Sequence, residues 1–133
     1  MGLILDTCIL INAEKQNSIL DFNRWESYNE AYISVITVTE LLIGVYHANT
    51  ESRRLKRSAF VEAIINEIPS LDFTTEVARS HAKIYSYLAK KGQLIGAHDL
   101  IIAATAIAHG YALLTFNYQE FKRIPGLKVC VPN

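Results

Sequence analysis

Asp6, Glu40 and Asp99 each stand where an apolar stretch meets a turn or the start of a helix. Asp6 ends the run Gly2-Leu-Ile-Leu-Asp6, Glu40 follows the strand-like Ala31-Tyr-Ile-Ser34, and Asp99 opens an apolar stretch running from Leu100 to His109. A fourth region, Thr115-Phe-Asn117-Tyr-Gln-Glu120-Phe121, offers an amide and a further carboxylate. Carboxylates that meet within a few ångströms repel one another, and their pKa values rise unless a cation neutralises them. No lysine or arginine lies close in sequence to Asp6, Glu40 or Asp99, so a bound metal ion is the natural counter-ion. An all-oxygen ligand set favours Mg²⁺ or Mn²⁺ over zinc. Such a centre activates water and shields the charge that develops on a phosphodiester, so metal-assisted hydrolysis is the chemistry these residues suit.

Each carboxylate also has a purely structural reading. Asp6 is a good N-cap for a following helix. Thr37-Val-Thr-Glu40 matches a capping box, in which the glutamate bonds the backbone at the cap. Asp99 suits the positive end of a helix dipole, and Glu120 suits a solvated surface. No single position carries the chemical reading; it rests on convergence. His98 could be a general base beside Asp99, or simply a polar residue at a helix start.

Convergence needs a scaffold. The first apolar run is short and continuous, as in a parallel strand covered on both faces. Short helices are predicted at 7–14 and 19–28, with a strand at Ala31-Tyr-Ile-Ser34 between them and a helix from about Val38. A helix over 51–68 ends at Pro69, and Ser70 to Phe73 reads as a short strand. Thr74 or Thr75 caps a helix reaching Lys91, with Gly92 as its stop signal. Asp99 opens the next helix, which Gly110 ends; strands follow at Tyr111-Ala-Leu-Leu-Thr115 and from Leu127 to Val131. Helices alternating with short apolar strands predict an α/β fold with a parallel sheet between two helical layers. In open sheets of this kind ligands bind beyond the carboxyl ends of the strands, which is where Asp6 and Glu40 fall. The place of Asp99 at that edge is open at the level of sequence.

The chain has 133 residues, half of them hydrophobic, and a formal net charge of zero. That suits one globular domain over 1–133, and the charge balance leaves a nucleic-acid partner undecided. Cys8 and Cys130 are too few and too far apart for a disulfide framework, and no Cys/His spacing suggests zinc. Two reduced thiols fit a cytoplasmic protein. The amino terminus lacks a basic leader and a cleavage site, and no apolar run approaches the ~20 residues of a membrane span. Arg53-Arg-Leu-Lys56-Arg57 places four of the thirteen basic residues in five positions, either as a phosphate-contacting stripe or as a solvated helix face. Phe22, Trp25 and Tyr28 share a helical spacing that suits core or interface, and Ile84, Tyr85 and Leu88 suit either a dimer face or internal packing.

Leu3-Ile-Leu-Asp6-Thr7, Ser34-Val-Ile-Thr-Val-Thr-Glu40-Leu-Leu-Ile-Gly44, Asp99-Leu-Ile-Ile-Ala103 and Leu113-Leu-Thr115-Phe-Asn117-Tyr-Gln-Glu120-Phe121 together resemble the four motifs of PIN-domain ribonucleases. Size and motif spacing are most similar to VapC-type toxins of toxin–antitoxin pairs. The resemblance implies a three-layer α/β/α sandwich around a parallel sheet, with Asp6, Glu40 and Asp99 holding Mg²⁺ or Mn²⁺. It gives Thr7 a role in positioning metal waters or phosphate, and Thr115 and Asn117 supporting hydrogen bonds. It also implies endonucleolytic hydrolysis of a structured RNA, tRNA or rRNA, together with homodimers and a small antitoxin that blocks the site. Cys8 departs from the asparagine or serine that often follows the Asp-Thr pair. The fourth acidic position is open between Asn117 and Glu120. Two other functions remain at this level. One is a non-catalytic RNA- or protein-binding module. The other is a phosphatase using Asp6 as nucleophile, although Cys8 occupies the place where that chemistry expects a second aspartate.

Overall fold

The structure, a computed structural model, describes residues 2–16 and 30–132. Along the chain these form β1 (Gly2–Leu5), α1 (Thr7–Lys15), β2 (Glu30–Ser34), α2 (Val35–Tyr46), α3 (Glu51–Glu67), β3 (Ser70–Leu71), α4 (Thr75–Lys90), α5 (Ala97–His109), β4 (Ala112–Leu114), α6 (Tyr118–Phe121) and β5 (Val129–Cys130). The helix expected over 19–28, with Phe22, Trp25 and Tyr28, lies outside the described residues.

The strands are parallel and ordered β3-β2-β1-β4-β5. Side chains alternate across the sheet, and the two faces bury different sets. Leu3, Leu5, Ala112 and Leu114 join Ile9 and Leu10 of α1, Leu41 and Val45 of α2 and Val61 of α3. Ile4 and Leu113 point the other way, into Val77, Ile84 and Leu88 of α4, Ile102 and Ala106 of α5, and Phe121. This is the expected α/β/α sandwich. It explains why β1 is apolar at every position: both of its faces are covered, and Ile4 and Leu5 are fully buried. Burial of each such side chain stabilises the fold by about 1.5–3 kcal/mol. Ile84 and Leu88 therefore pack inside the fold, while Tyr85 is exposed.

Two helix starts differ from expectation. Helix α2 begins at Val35, capped by Ser34, whose hydroxyl accepts from the Ile36 amide at 3.2 Å. Five β-branched residues in a row, Val35 to Thr39, argue locally against a helix, but the cap and the burial of Leu41 and Val45 outweigh that preference. Glu40 consequently sits in the second turn rather than the first, and Thr37-Val-Thr-Glu40 is not a capping box. Helix α5 begins at Ala97 with Gly96 as cap, so Asp99 is its third residue rather than its opening one. The short helix α6, absent from the sequence reading, follows β4 and carries Glu120.

Candidate active site

From β1 the chain proceeds through β2 to β3 on one side, whereas β4 and β5 lie on the other. The crevice between the carboxyl ends of β1 and β4 is thus the switch point at which α/β sheets bind ligands. Asp6 follows β1, Thr115 follows β4, and the two meet there. The Thr115 hydroxyl donates to Asp6 Oδ2 at 2.6 Å, beside a backbone bond from the Asp6 amide to the Leu114 carbonyl at 3.0 Å. Asp6 Oδ1 accepts from the Thr7 amide at 2.8 Å, so its capping role is real. Its other oxygen is held independently of that cap.

Cys8 contributes to the same carboxylate. Its thiol donates to Asp6 Oδ2 at 3.3 Å and lies 3.7 Å from Thr115 Oγ1. Burial, aided by the Asp6 charge, pushes the thiol up to about 11, so it stays protonated and available as a donor. The departure at this position therefore keeps a polar contact instead of losing one. With 4% of its surface exposed and both oxygens engaged, Asp6 is a poor candidate for a covalent nucleophile.

Glu40 reaches the same region from α2. The Thr7 hydroxyl donates to Glu40 Oε1 at 2.7 Å and lies 2.9 Å from the Thr37 hydroxyl. Glu40 Oε2 faces His98 Nδ1 of α5 at 3.4 Å, an ion pair when the imidazole is protonated. His98 is thus a partner of Glu40, with no substrate-facing role established by its position. Thr37, the first residue of the expected capping box, is buried within α2 and accepts from the Thr7 hydroxyl instead of capping the helix.

Asp99 completes the arrangement. Helix α5 leads into β4, so its first turn stands at the carboxyl edge of the sheet. The Asp99 side chain folds back over Gly96, where an added Cβ would lie 3.4 Å from Oδ2. Its carboxyl is pushed up to about 6, first by burial and then by the negative charges of Asp6, Glu120 and Glu40, with His98 acting in the opposite direction. That ordering places four carboxylates, Asp6, Glu40, Asp99 and Glu120, within electrostatic reach of one another. Among the described residues, no three His, Cys, Asp or Glu side chains are disposed to ligate one ion directly. Like charges stand apart unless a cation draws them together, and magnesium commonly takes one or two carboxylates and fills the remaining positions with water. The donor chemistry and the surplus negative charge at Asp99 therefore fit a hard divalent cation. Asn117 caps α6 and donates its backbone amide, rather than its side chain, to Thr115 Oγ1 at 2.9 Å. Glu120, within α6, is the acidic residue of this fourth region.

Other features lie elsewhere. Arg53, Arg54, Lys56 and Arg57 are on α3; Arg57 is tied to Glu14 at 3.5 Å and to the Gly44 carbonyl at 3.2 Å. A cavity of about 700 Å³ opens between α4, α5 and the amino end of β4, lined in part by Lys83, Tyr87, Ile107 and Tyr111, and includes none of the carboxylates. No described helix is long and apolar enough to cross a membrane.

Residues 3–127 match the PIN domain family. Ribonuclease VapC1 of Rickettsia felis is 47% identical over 129 residues, covering 97% of this chain and 95% of the relative. The tRNA(fMet)-specific endonuclease VapC of Salmonella typhimurium is 34% identical over 125 residues, covering 93% and 91%. Among solved structures, VapBC2 of Rickettsia felis bound to a DNA fragment from its promoter superposes with a TM-score of 0.89 at 29% identity, covering all of both chains. DNA-bound VapBC of Salmonella typhimurium gives 0.84 at 32% identity, covering 98% of each. The motifs, the parallel sheet and these relatives agree: the chain belongs to the PIN-domain family and, within it, to the VapC ribonucleases.

Proposed function

We propose that this chain is a metal-dependent endoribonuclease that hydrolyses a structured RNA, tRNA or rRNA, as the toxin of a toxin–antitoxin pair, acting in the cytoplasm as a homodimer. The observation that carries the reading is the crowding of Asp6, Glu40 and Glu120 around Asp99, which leaves that carboxyl raised to about 6. Asp6 and Asp99 would hold Mg²⁺ or Mn²⁺, with Glu40 as the third ligand. When bound, the ion would lower the pKa of a water and shield charge on the phosphodiester. The chain's own contribution is orientation. Thr115 and Cys8 fix one oxygen of Asp6, and Thr7 fixes one oxygen of Glu40. Glu120 adds negative charge at the rim, and Thr115 links β4 to the site. The relative named as a tRNA(fMet)-specific endonuclease supports tRNA as the first substrate to try, and the VapBC complexes support a cognate antitoxin partner.

The alternative of a non-catalytic binding module drew on Cys8 and on the open fourth acid. Cys8 still contacts Asp6, and Glu120 still acts on Asp99, so neither observation favours it. The test is incubation of purified tRNA and rRNA with the protein and Mg²⁺ or Mn²⁺, beside an EDTA control and Asp99→Asn. Discrete products lost in both controls are expected. Intact RNA with every metal, from folded protein, would move the assignment to a binding module.

A further inference from the structure

We infer that Phe116 and Tyr118 form a stacking platform for the RNA bases that flank the cleaved bond. The inference rests on the ribonuclease reading above and adds substrate-contacting residues to it. The two rings stand on either side of Asn117, where β4 turns into α6, and they are 48% and 42% exposed. The backbone that carries them is pinned at both ends. Thr115 is completely buried, with its hydroxyl on Asp6 and its amide on the Cys130 carbonyl at 2.9 Å. Phe121 is completely buried in the core. Between them the Asn117 amide donates to Thr115 Oγ1, and the Phe116 backbone bonds the Cys8 sulphur. Arg123, just beyond α6, donates to the Gln93 and Leu94 carbonyls at 3.4 and 3.5 Å, tying the turn to the loop that precedes α5 and Asp99.

Single exposed apolar side chains are ordinary on a protein surface. Position sets this pair apart. Phe116 is joined directly to Thr115, whose hydroxyl holds Asp6, and among the described residues neither ring stacks on another aromatic. A phosphodiester held at the carboxylates carries its own two bases within a nucleotide's reach, at the rim where these rings stand. Stacking needs an accessible ring face and works with any base, and unpaired bases of RNA are commonly held in this way. Lys122 Nζ lies 5.8 Å from the centroid of the Tyr118 ring, which sets a positive charge beside the platform for an adjoining phosphate. Two ring faces, an ammonium group and the carboxylates thus match the bases, backbone and scissile bond of one RNA strand.

The experiment compares wild type with Phe116→Ala, Phe116→Leu, Phe116→Tyr and Phe116→Ala/Tyr118→Ala on the RNA that wild type cleaves, tRNA or rRNA. Circular dichroism checks each fold, and electron paramagnetic resonance follows Mn²⁺ binding. Loss of a stacked ring is expected to lower kcat/KM about tenfold in Phe116→Ala and further in the double variant. Phe116→Leu should resemble Phe116→Ala, because it is apolar without a ring face, and Phe116→Tyr should stay within about twofold of wild type. Mn²⁺ affinity should match wild type throughout, because the Phe116 backbone rather than its ring meets Cys8. A short RNA spanning the mapped bond is then made with an abasic residue on each side in turn. At one of these positions the abasic RNA should remove the difference between wild type and Phe116→Ala. Wild-type kcat/KM in the folded double variant would overturn the platform and leave these rings to a protein partner. Additive losses at both abasic positions, or a fall in Mn²⁺ affinity, would overturn the stacking role of Phe116 and leave the ribonuclease reading intact. Absence of cleavage of any RNA by wild type would overturn that reading and the platform together.

Discussion

Asp99 carries the clearest electrostatic signature of the site, and its sign can be followed into stability. Its carboxyl lies near 6 in the folded protein against an ordinary 3.8, so folding favours the protonated form. The stability tied to that proton is fully present below 3.8 and lost as pH rises through about 6. Asp99→Asn removes the charge. In EDTA, urea unfolding should show the variant matching wild type near pH 4 and exceeding it at about pH 7. Saturating Mn²⁺ should reverse that order, because only the carboxylate gains from the cation. Equal stability at both pH values would remove the charge crowding from the account. Thr115 acts on the neighbouring carboxylate. Thr115→Val deletes the 2.6 Å bond to Asp6, and cleavage should fall about 10- to 100-fold with little change in KM. Steady-state kinetics on one defined RNA checks that expectation. Asp6, Glu40 and Asp99 were legible in the sequence only as an ordered set of motifs, because each carboxylate alone also suits a cap or a helix dipole. The contact between the Thr7 and Thr37 hydroxyls was not, because it depends on a helix starting three residues earlier than its β-branched composition suggests.

At the scale of elements, the site depends on how α5 is placed, since it delivers Asp99 at one end and leads into β4 at the other. The turn between them is held at Gly110, whose φ of 70° is left-handed, and whose amide bonds the Ile107 carbonyl at 3.1 Å. A Cβ at Gly110 would meet nothing within 4 Å, so only backbone strain opposes a side chain there. Gly110→Ala should therefore cost about 1 kcal/mol, read from denaturant unfolding, with the mutant retaining the same Mn²⁺ stoichiometry. A neutral result would mean that the turn relaxes to another conformation. This stop was visible in the sequence, as were the Thr74 cap of α4 and the apolar run of β1. The start of α2 was not: Ser34 looked like the end of a strand, and it is both that and the helix cap. Helix α6 is one turn long, and too short for a periodic pattern to announce it.

For the whole molecule, a net charge of zero means that any attraction to RNA has to be local. The basic side chains of α3 are the densest concentration of positive charge in the sequence, yet they are not equivalent. Arg57 is committed to packing α3 against α1 and α2 through Glu14 and the Gly44 carbonyl, one turn beyond Glu40. Arg53 bonds Asn49 at 2.8 Å and Arg54 pairs with Glu51 at 3.3 Å, both at the exposed end of α3. Exposed pairs of this kind contribute little and exchange readily for phosphate. Lys56 is exposed as well. If this face tracks the RNA backbone, replacing Arg53, Arg54 and Lys56 together by glutamine raises KM several-fold, leaves kcat unchanged and flattens the salt dependence. Each lost phosphate contact removes about 0.7–0.9 from the slope of log affinity against log salt, so three contacts remove about 2–3. Arg57→Gln should instead lower stability, because its partners belong to the fold. We expect the triple variant to show the KM effect, measured at several salt concentrations on tRNA. An unchanged KM and slope would assign α3 to solvent and turn the search for RNA contacts to the rim of the carboxylate crevice.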